Sequence, residues 1–142
     1  MGVSSSSVYL VDTSIWIGLQ RGELSDTLSD RLLSLLSAEL IATNNVVRTE
    51  MLVGCRTEPE YNVNGERFSG LVELRLNHSV WEGPAALGFS LRRRGVTVAL
   101  PDLLIAASAL EHDAVVVHSD KDFDKIAAHS DLRVESYAES SV

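Results

Sequence analysis

Four acidic side chains stand where a folded chain has least use for them. Asp12 directly follows the apolar run Val8-Tyr9-Leu10-Val11, and Asp120 follows a second such run, Ala114 to His118, after one serine. Asp102 follows Pro101 at the head of the apolar stretch Leu103-Leu104-Ile105-Ala106-Ala107. Glu50 lies in a helical segment where, at about 100° per residue, Val46, Val47, Val53 and Gly54 surround it on an apolar stripe. A carboxylate in such surroundings is costly to desolvate unless a cation or hydrogen-bond donors compensate it. If these distant segments converge, the acids ionise together only when positive charge neutralises them, which a divalent ion does. Donors that are all carboxylates favour magnesium or manganese over zinc.

Each acid also has an ordinary explanation. Asp12 can cap a helix amino end, and Asp102 in a first turn complements the helix dipole. Ser119 and Asp122 have capping-box spacing, with aspartate in place of the usual glutamate or glutamine. Glu50 can pair with an arginine such as Arg48. Capping explains three of the four core positions but not Glu50.

The elements that must position these residues follow from periodicity and capping. Val8 to Val11 reads as a strand buried on both faces, and Thr13 or Ser14 caps a short helix carrying Ile15, Trp16 and Leu19. Ser25 or Asp26 starts a helix with Leu28, Leu32, Leu35 and Leu36 at helical spacing. Glu39 to Ala42 reads as a second strand, and Thr43 or Asn44 caps a helix to about Cys55. Glu60 to Leu76 is expected to be helical with a break around Asn64-Gly65, and Asn77 to Val80 to be a third strand. Helices follow from Gly83-Pro84 to Arg94, stopped by Gly95, and from Pro101 to near His112. Ala114 to His118 is a buried strand, a helix runs to about Ala128, and Leu132 to Glu135 closes the sheet. Strands alternating with helices imply an α/β fold with a central parallel β-sheet flanked by helices on both faces. Ligands of such sheets bind beyond the carboxyl ends of the strands, where Asp12 and Asp120 both stand.

The 142 residues suit one domain, from about residue 8 to residue 136, with a flexible polar lead-in (1–7) and a short tail (137–142). The single cysteine, Cys55, forms no intramolecular disulfide and is expected in the core, in keeping with a cytoplasmic protein. No apolar run approaches the roughly 20 residues of a membrane span. The net charge of −8 opposes a simple electrostatic binder of nucleic acid, unless cations neutralise some acids or a local basic strip does the binding. Arg92-Arg93-Arg94 is the densest such strip, with a second explanation as cations at a helix carboxyl end. Arg21 and Lys121 are weaker candidates to flank a cleft, and His118 is the one histidine placed for a role at the site. Trp16 and Trp81 are read as core or dimer-contact residues.

Val11-Asp12-Thr13-Ser14-Ile15-Trp16, Val47-Arg48-Thr49-Glu50, Pro101-Asp102-Leu103-Leu104-Ile105-Ala106-Ala107 and Ser119-Asp120-Lys121-Asp122-Phe123 together resemble the ordered motifs of PIN-domain nucleases, and most of all the VapC-type toxins of bacterial toxin–antitoxin pairs. The resemblance runs from Val8 to about Glu135. It implies a single PIN-like domain that hydrolyses RNA phosphodiester bonds with Mg2+ or Mn2+. Asp12, Glu50, Asp102 and Asp120 correspond to the acidic core, Asp122 to a more variable fifth acid, and Ser14 and Ser119 to polar positions that organise the site. Ser119 stands where threonine is common in the family. The family further implies an RNA substrate, a cognate antitoxin and a homodimer.

Two other classes compete. A non-catalytic metal- or RNA-binding module could keep the fold and the acids. An aspartate-based phosphotransferase would use Asp12 as nucleophile, but such enzymes place a second acid two residues on, where this chain has Ser14.

Overall fold

A computed structural model describes residues 7–76 and 82–139. The elements run β1 (Tyr9–Val11), α1 (Thr13–Gln20), α2 (Asp26–Ser37), β2 (Ile41–Thr43), α3 (Asn45–Val53), α4 (Glu58–Ser69), β3 (Val72–Glu73), α5 (Glu82–Arg93), α6 (Leu100–Glu111), β4 (Val115–His118), α7 (Lys121–Ala128) and β5 (Arg133–Ser136). The strands form one sheet of five in the order β3-β2-β1-β4-β5. Every pairing is parallel, with Tyr9 in register with both Ile41 and Val115. The expected parallel α/β architecture is therefore the one found.

Sheet order explains where chemistry can occur. The chain leaves β1 toward β2 and β3 on one side, then returns to lay β4 and β5 on the other. The crevice of a parallel sheet opens where that direction reverses, here between the carboxyl ends of β1 and β4. The Asp12 N–H donates to the Val117 carbonyl at 2.9 Å, so the strands are still paired where the acid emerges.

Successive strand residues face opposite sides of the sheet, and two cores follow. Leu10, Ala42 and Val116 join Val47, Leu91, Ile105, Phe123 and Ile126 on one face. Val11, Ile41 and Val117 join Ile15, Leu28, Leu32 and Leu35 on the other. Helix α6 buries Ile105 to Ala109 in one continuous run, as an almost wholly apolar helix must. Across the second face, Arg31 of α2 donates its Nε to Glu135 of β5 at 3.1 Å while its guanidinium lies 5.0 Å over the Tyr9 ring.

Local chemistry sets most of the boundaries. Ser25 and Asn44 cap α2 and α3, accepting from Leu28 N–H at 3.2 Å and Val47 N–H at 2.9 Å. After α5, Gly95 takes a φ of +82°, a conformation that glycine adopts without strain. The expected break at Asn64-Gly65 is absent, the Asn64 side chain donating to the Glu60 carbonyl at 3.1 Å within an unbroken helix, and that helix ends at Ser69 rather than at Leu76. β2 lies slightly later than read from sequence. The described third strand is Val72–Glu73, and the one expected at Asn77 to Val80 lies, with Trp81, outside the described residues. Tyr137, assigned to the tail, instead donates its N–H to the His118 carbonyl at 2.7 Å and packs on the second core. Among the described residues, no helix is long and apolar enough to cross a membrane.

Leu35 tests the second core at a distance from the acids, being 2% exposed on α2. Leu35→Ala is expected to lower unfolding free energy by about 2–5 kcal/mol. Chemical denaturation should show the midpoint falling with the m-value unchanged.

Candidate metal centre

Asp12 is both the last residue before α1 and its cap. Its carboxylate Oδ2 accepts from Ser14 N–H at 3.0 Å and from the Ser14 hydroxyl at 2.6 Å, and the side chain is almost wholly buried. Both capping contacts fall on the same carboxylate oxygen. Ser14 does more than support Asp12, since its oxygen also accepts from Ser119 N–H at 3.1 Å. One hydroxyl therefore ties the ends of β1 and β4 together. Ser119 contributes its backbone to this contact and is itself exposed.

The placement of Glu50 corrects the sequence reading. Val47 and Met51 form the buried face of α3, while Val53 is 79% exposed and Glu50 is exposed as well. The apolar stripe had been rotated too far, because Val53 sits in the last turn and projects past the core. Glu50 does not pair with Arg48, whose guanidinium reaches the Gly65 carbonyl at 3.5 Å. Its Oε1 instead accepts from the buried Thr13 hydroxyl at 2.8 Å. Thr13 is thus a functional candidate that sequence reasoning treated only as a cap; its place between Asp12 and Ser14 was the available signal.

Asp102, Asp120 and Asp122 bring one carboxylate oxygen each within 4.8 Å of one another, all three half-buried. Asp102 stands in the first turn of α6, where the preceding Ala99 provides no side-chain cap. Asp120, rather than Ser119, caps α7, its Oδ1 accepting from Asp122 N–H at 2.9 Å. Asp122, taken from sequence as the marginal fifth acid, is a full member of this trio. It also lies 3.6 Å from the ammonium of Lys125. Asp12 and Glu50 stand around the trio rather than within it.

Electrostatics link all five. Burial pushes the Asp102 carboxyl up from 3.8 to about 7, reinforced in order by the charges of Asp120, Asp12, Asp122 and Glu50. A carboxyl raised by four like charges is a site short of positive charge. The donors are hard oxygens, few enough to leave room for water, and one of them yields its proton near neutrality. That set fits a divalent ion of the magnesium or manganese type.

The other candidates fall elsewhere. Arg94 donates to the His129 carbonyl at 3.0 Å, at the opposite end of α7 from Asp120. Arg92 and Arg93 occupy the last turn of α5, with Arg93 5.7 Å over the Phe89 ring. Arg21 and Lys121 are exposed, and Cys55 is half-buried against the Met51 carbonyl. Trp16 packs edge-on to Phe68, with ring centroids 5.4 Å apart, as expected of a core residue. His118 is fully buried, and its pKa is pushed below 6.5 by burial despite the charges of Asp124, Asp12 and Asp120.

The family model for the PIN domain matches residues 9–129. Ribonuclease VapC11 of Mycobacterium tuberculosis is 33% identical over 90% of this chain and 98% of its own length. The chain belongs to the PIN-domain family. Ribonuclease VapC18 of the same species is 30% identical over 85% of this PIN-domain chain and 88% of its own. Among solved structures, VapBC2 from Rickettsia felis bound to a promoter DNA fragment superposes with a TM-score of 0.76 at 20% identity, covering 92% of this chain and 98% of that one. VapBC-1 from Haemophilus influenzae does so at 0.74 and 21%, covering 91% and 97%. At such identities the superpositions establish the PIN fold.

The raised Asp102 carboxyl makes the metal-free PIN domain sensitive to pH. The folded state holds this proton more tightly than the unfolded state, so the stability it contributes is present at low pH and lost as pH rises toward about 7. Melting of metal-free protein should therefore show Tm falling from roughly pH 4 to pH 7 on this account. Addition of Mn2+ at pH 8 should reverse the loss, and Mn2+ binding at pH 6, where the Asp102 carboxyl still holds its proton, should release that proton measurably by calorimetry in two buffers.

Proposed function

We propose that this PIN-domain protein is a divalent-metal-dependent endoribonuclease acting as the toxin of a toxin–antitoxin pair, with Mg2+ or Mn2+ as its cofactor. One observation carries the proposal: Asp102, Asp120 and Asp122 bring a carboxylate oxygen each within 4.8 Å of one another at the head of a buried helix, where burial and then the charges of four acids push the Asp102 carboxyl up. Carboxylates this close ionise together only beside compensating positive charge, which a bound divalent cation supplies. The relatives named as ribonucleases supply the reaction class.

In this reading Asp102, Asp120 and Asp122 hold the ion, and Asp12 completes its surroundings from the end of β1. When bound, the ion supplies a Lewis acid that lowers the pKa of a water and offsets charge on the scissile phosphate. Glu50 sits at the exposed rim with one oxygen held by Thr13, which leaves the other to orient or deprotonate the attacking water. Ser14 keeps Asp12 and the Ser119 amide in register. Arg92 and Arg93, exposed on α5, are the candidates for phosphate contact in a protein of net charge −8.

Two apolar surfaces support the proposed partners. A groove of about 600 Å³ runs between α1, α2 and α4, lined by Trp16, Leu32, Leu36, Met51, Phe68 and Leu71. Leu19, Leu33 and Leu36 at its edge are 49%, 62% and 53% exposed, which suits an apolar antitoxin segment. A second recess between α5 and α6, edged by Phe89 and Leu100 at 65% and 64% exposure, suits a homodimer contact. The protein would act in the cytoplasm, where RNA is met.

Asp102→Asn separates site from scaffold. It removes a repelling charge, so the metal-free variant should melt at or above wild type at pH 8 while RNA cleavage with Mg2+ or Mn2+ falls at least 100-fold. Cleavage that continues in chelator, or undiminished in the variant, would sink the metal mechanism. Leu33→Asp with Leu36→Asp should leave cleavage intact and weaken binding of the cognate antitoxin at least tenfold by calorimetry.

A further inference from the structure

The strand β4 ends in a histidine that touches none of the acids' oxygens at the trio, yet it is fully buried. A buried imidazole must place both ring nitrogens. His118 Nδ1 accepts from the backbone N–H of Asp120 at 3.1 Å. That contact requires a bare Nδ1, so the ring proton resides on Nε2. Nε2 lies 3.3 Å from Asp124 Oδ1, one turn into α7, an electrostatic contact set off the ideal hydrogen-bond line. The other Asp124 oxygen accepts from the Ser136 hydroxyl of β5 at 2.9 Å. The ring also packs on the buried Phe123, with centroids 5.2 Å apart, so it cannot swing without disturbing the core.

The consequence falls on the peptide that carries Asp120. Two consecutive amides at the end of β4 are each held by a side chain: Ser119 by Ser14, and Asp120 by His118. Together they fix the peptide planes on either side of Ser119, and so the direction in which Asp120 leaves the backbone. The Asp120 carboxylate then has one oxygen on Asp122 N–H, which sets its rotation.

We infer that His118 is a positioning residue for Asp120, acting as an uncharged acceptor through Nδ1 with its Nε2 proton facing Asp124. The inference rests on the reading of Asp120 as a metal ligand. The lever is geometric: a carboxylate mis-aimed by a fraction of an ångström binds a small hard cation poorly, and supporting contacts of this kind are worth about 10–100-fold in metal affinity.

The test uses full-length protein and Mn2+ alone, followed by calorimetry, with RNA cleavage as a second readout. His118→Leu removes the acceptor and should weaken Mn2+ binding about tenfold. Its kcat should fall by a similar factor while KM for RNA stays unchanged. His118→Asn, whose side-chain oxygen reaches the Nδ1 position, should stay within about threefold of wild type, whereas His118→Gln, whose oxygen reaches toward Nε2, should resemble the leucine variant. If the leucine variant fails to fold, the asparagine and glutamine pair decides alone. Long-range 15N–1H correlation should show the proton of His118 on Nε2. Asp120→Asn is the reference. Unchanged Mn2+ binding there overturns the ligand reading itself; weakened binding there, beside equal affinity in the glutamine and asparagine variants, overturns only the positioning role. A proton found on Nδ1 overturns it as well.

Discussion

Negative charge concentrated at the head of one buried helix raises the free energy of the folded chain, and that repulsion shapes much of what surrounds it. Asp102 enters the first turn of α6 beside Asp120 and Asp122, with Asp12 and Glu50 close enough to add their fields. Such an arrangement persists only because the segments that carry the acids are held by other forces. Strands β1 and β4 lie side by side with Leu10, Val11, Val116 and Val117 wholly buried, and α6 buries five consecutive residues. Packing of that kind outweighs the local repulsion and leaves the site preorganised to receive a cation.

The groups that fix the acids in place are almost all uncharged. Thr13 holds Glu50, Ser14 holds Asp12 and the Ser119 amide, and His118 holds the Asp120 amide. A lysine or arginine at any of these points would neutralise the carboxylates and compete with the metal for them. Hydroxyls, amides and a neutral imidazole aim the oxygens without cancelling their charge. Helix amino ends contribute in the same sense, because Asp12, Asp102 and Asp120 all stand at the start of a helix.

The apolar surfaces draw on none of the five acids. The groove beside α2 and the recess between α5 and α6 leave large side chains in water, which isolated domains seldom do. Surfaces suited to a partner and the acidic cluster are thus built from different residues. Arg94, spent on the His129 carbonyl, shows the same separation for charge, since the basic strip partly serves the scaffold.

Periodicity and capping made most of this legible from residues alone. Val8 to Val11 and Ala114 to His118 are too apolar to be anything but buried strands, and an acid after each must emerge at one edge once the strands are parallel. Ser25, Asn44 and Gly95 announced helix boundaries because their side chains, or the lack of one, satisfy backbone groups locally. Where the decision depended on distant partners, the sequence was silent or misleading. Periodicity puts Val53 and Glu50 on the core face of α3, yet its actual neighbours leave both exposed and offer Glu50 the hydroxyl of Thr13. Asp122 became an equal of Asp102 because Asp120 caps α7 and its carboxylate holds the Asp122 amide, which brings the two acids together. The support given by Ser14 and His118 joins β1 to β4 or β4 to α7 through single atoms, and no one-dimensional pattern encodes such contacts. The chain by itself determined which residues are acidic and which edge they share; tertiary packing decided their distances, and metal binding depends on those.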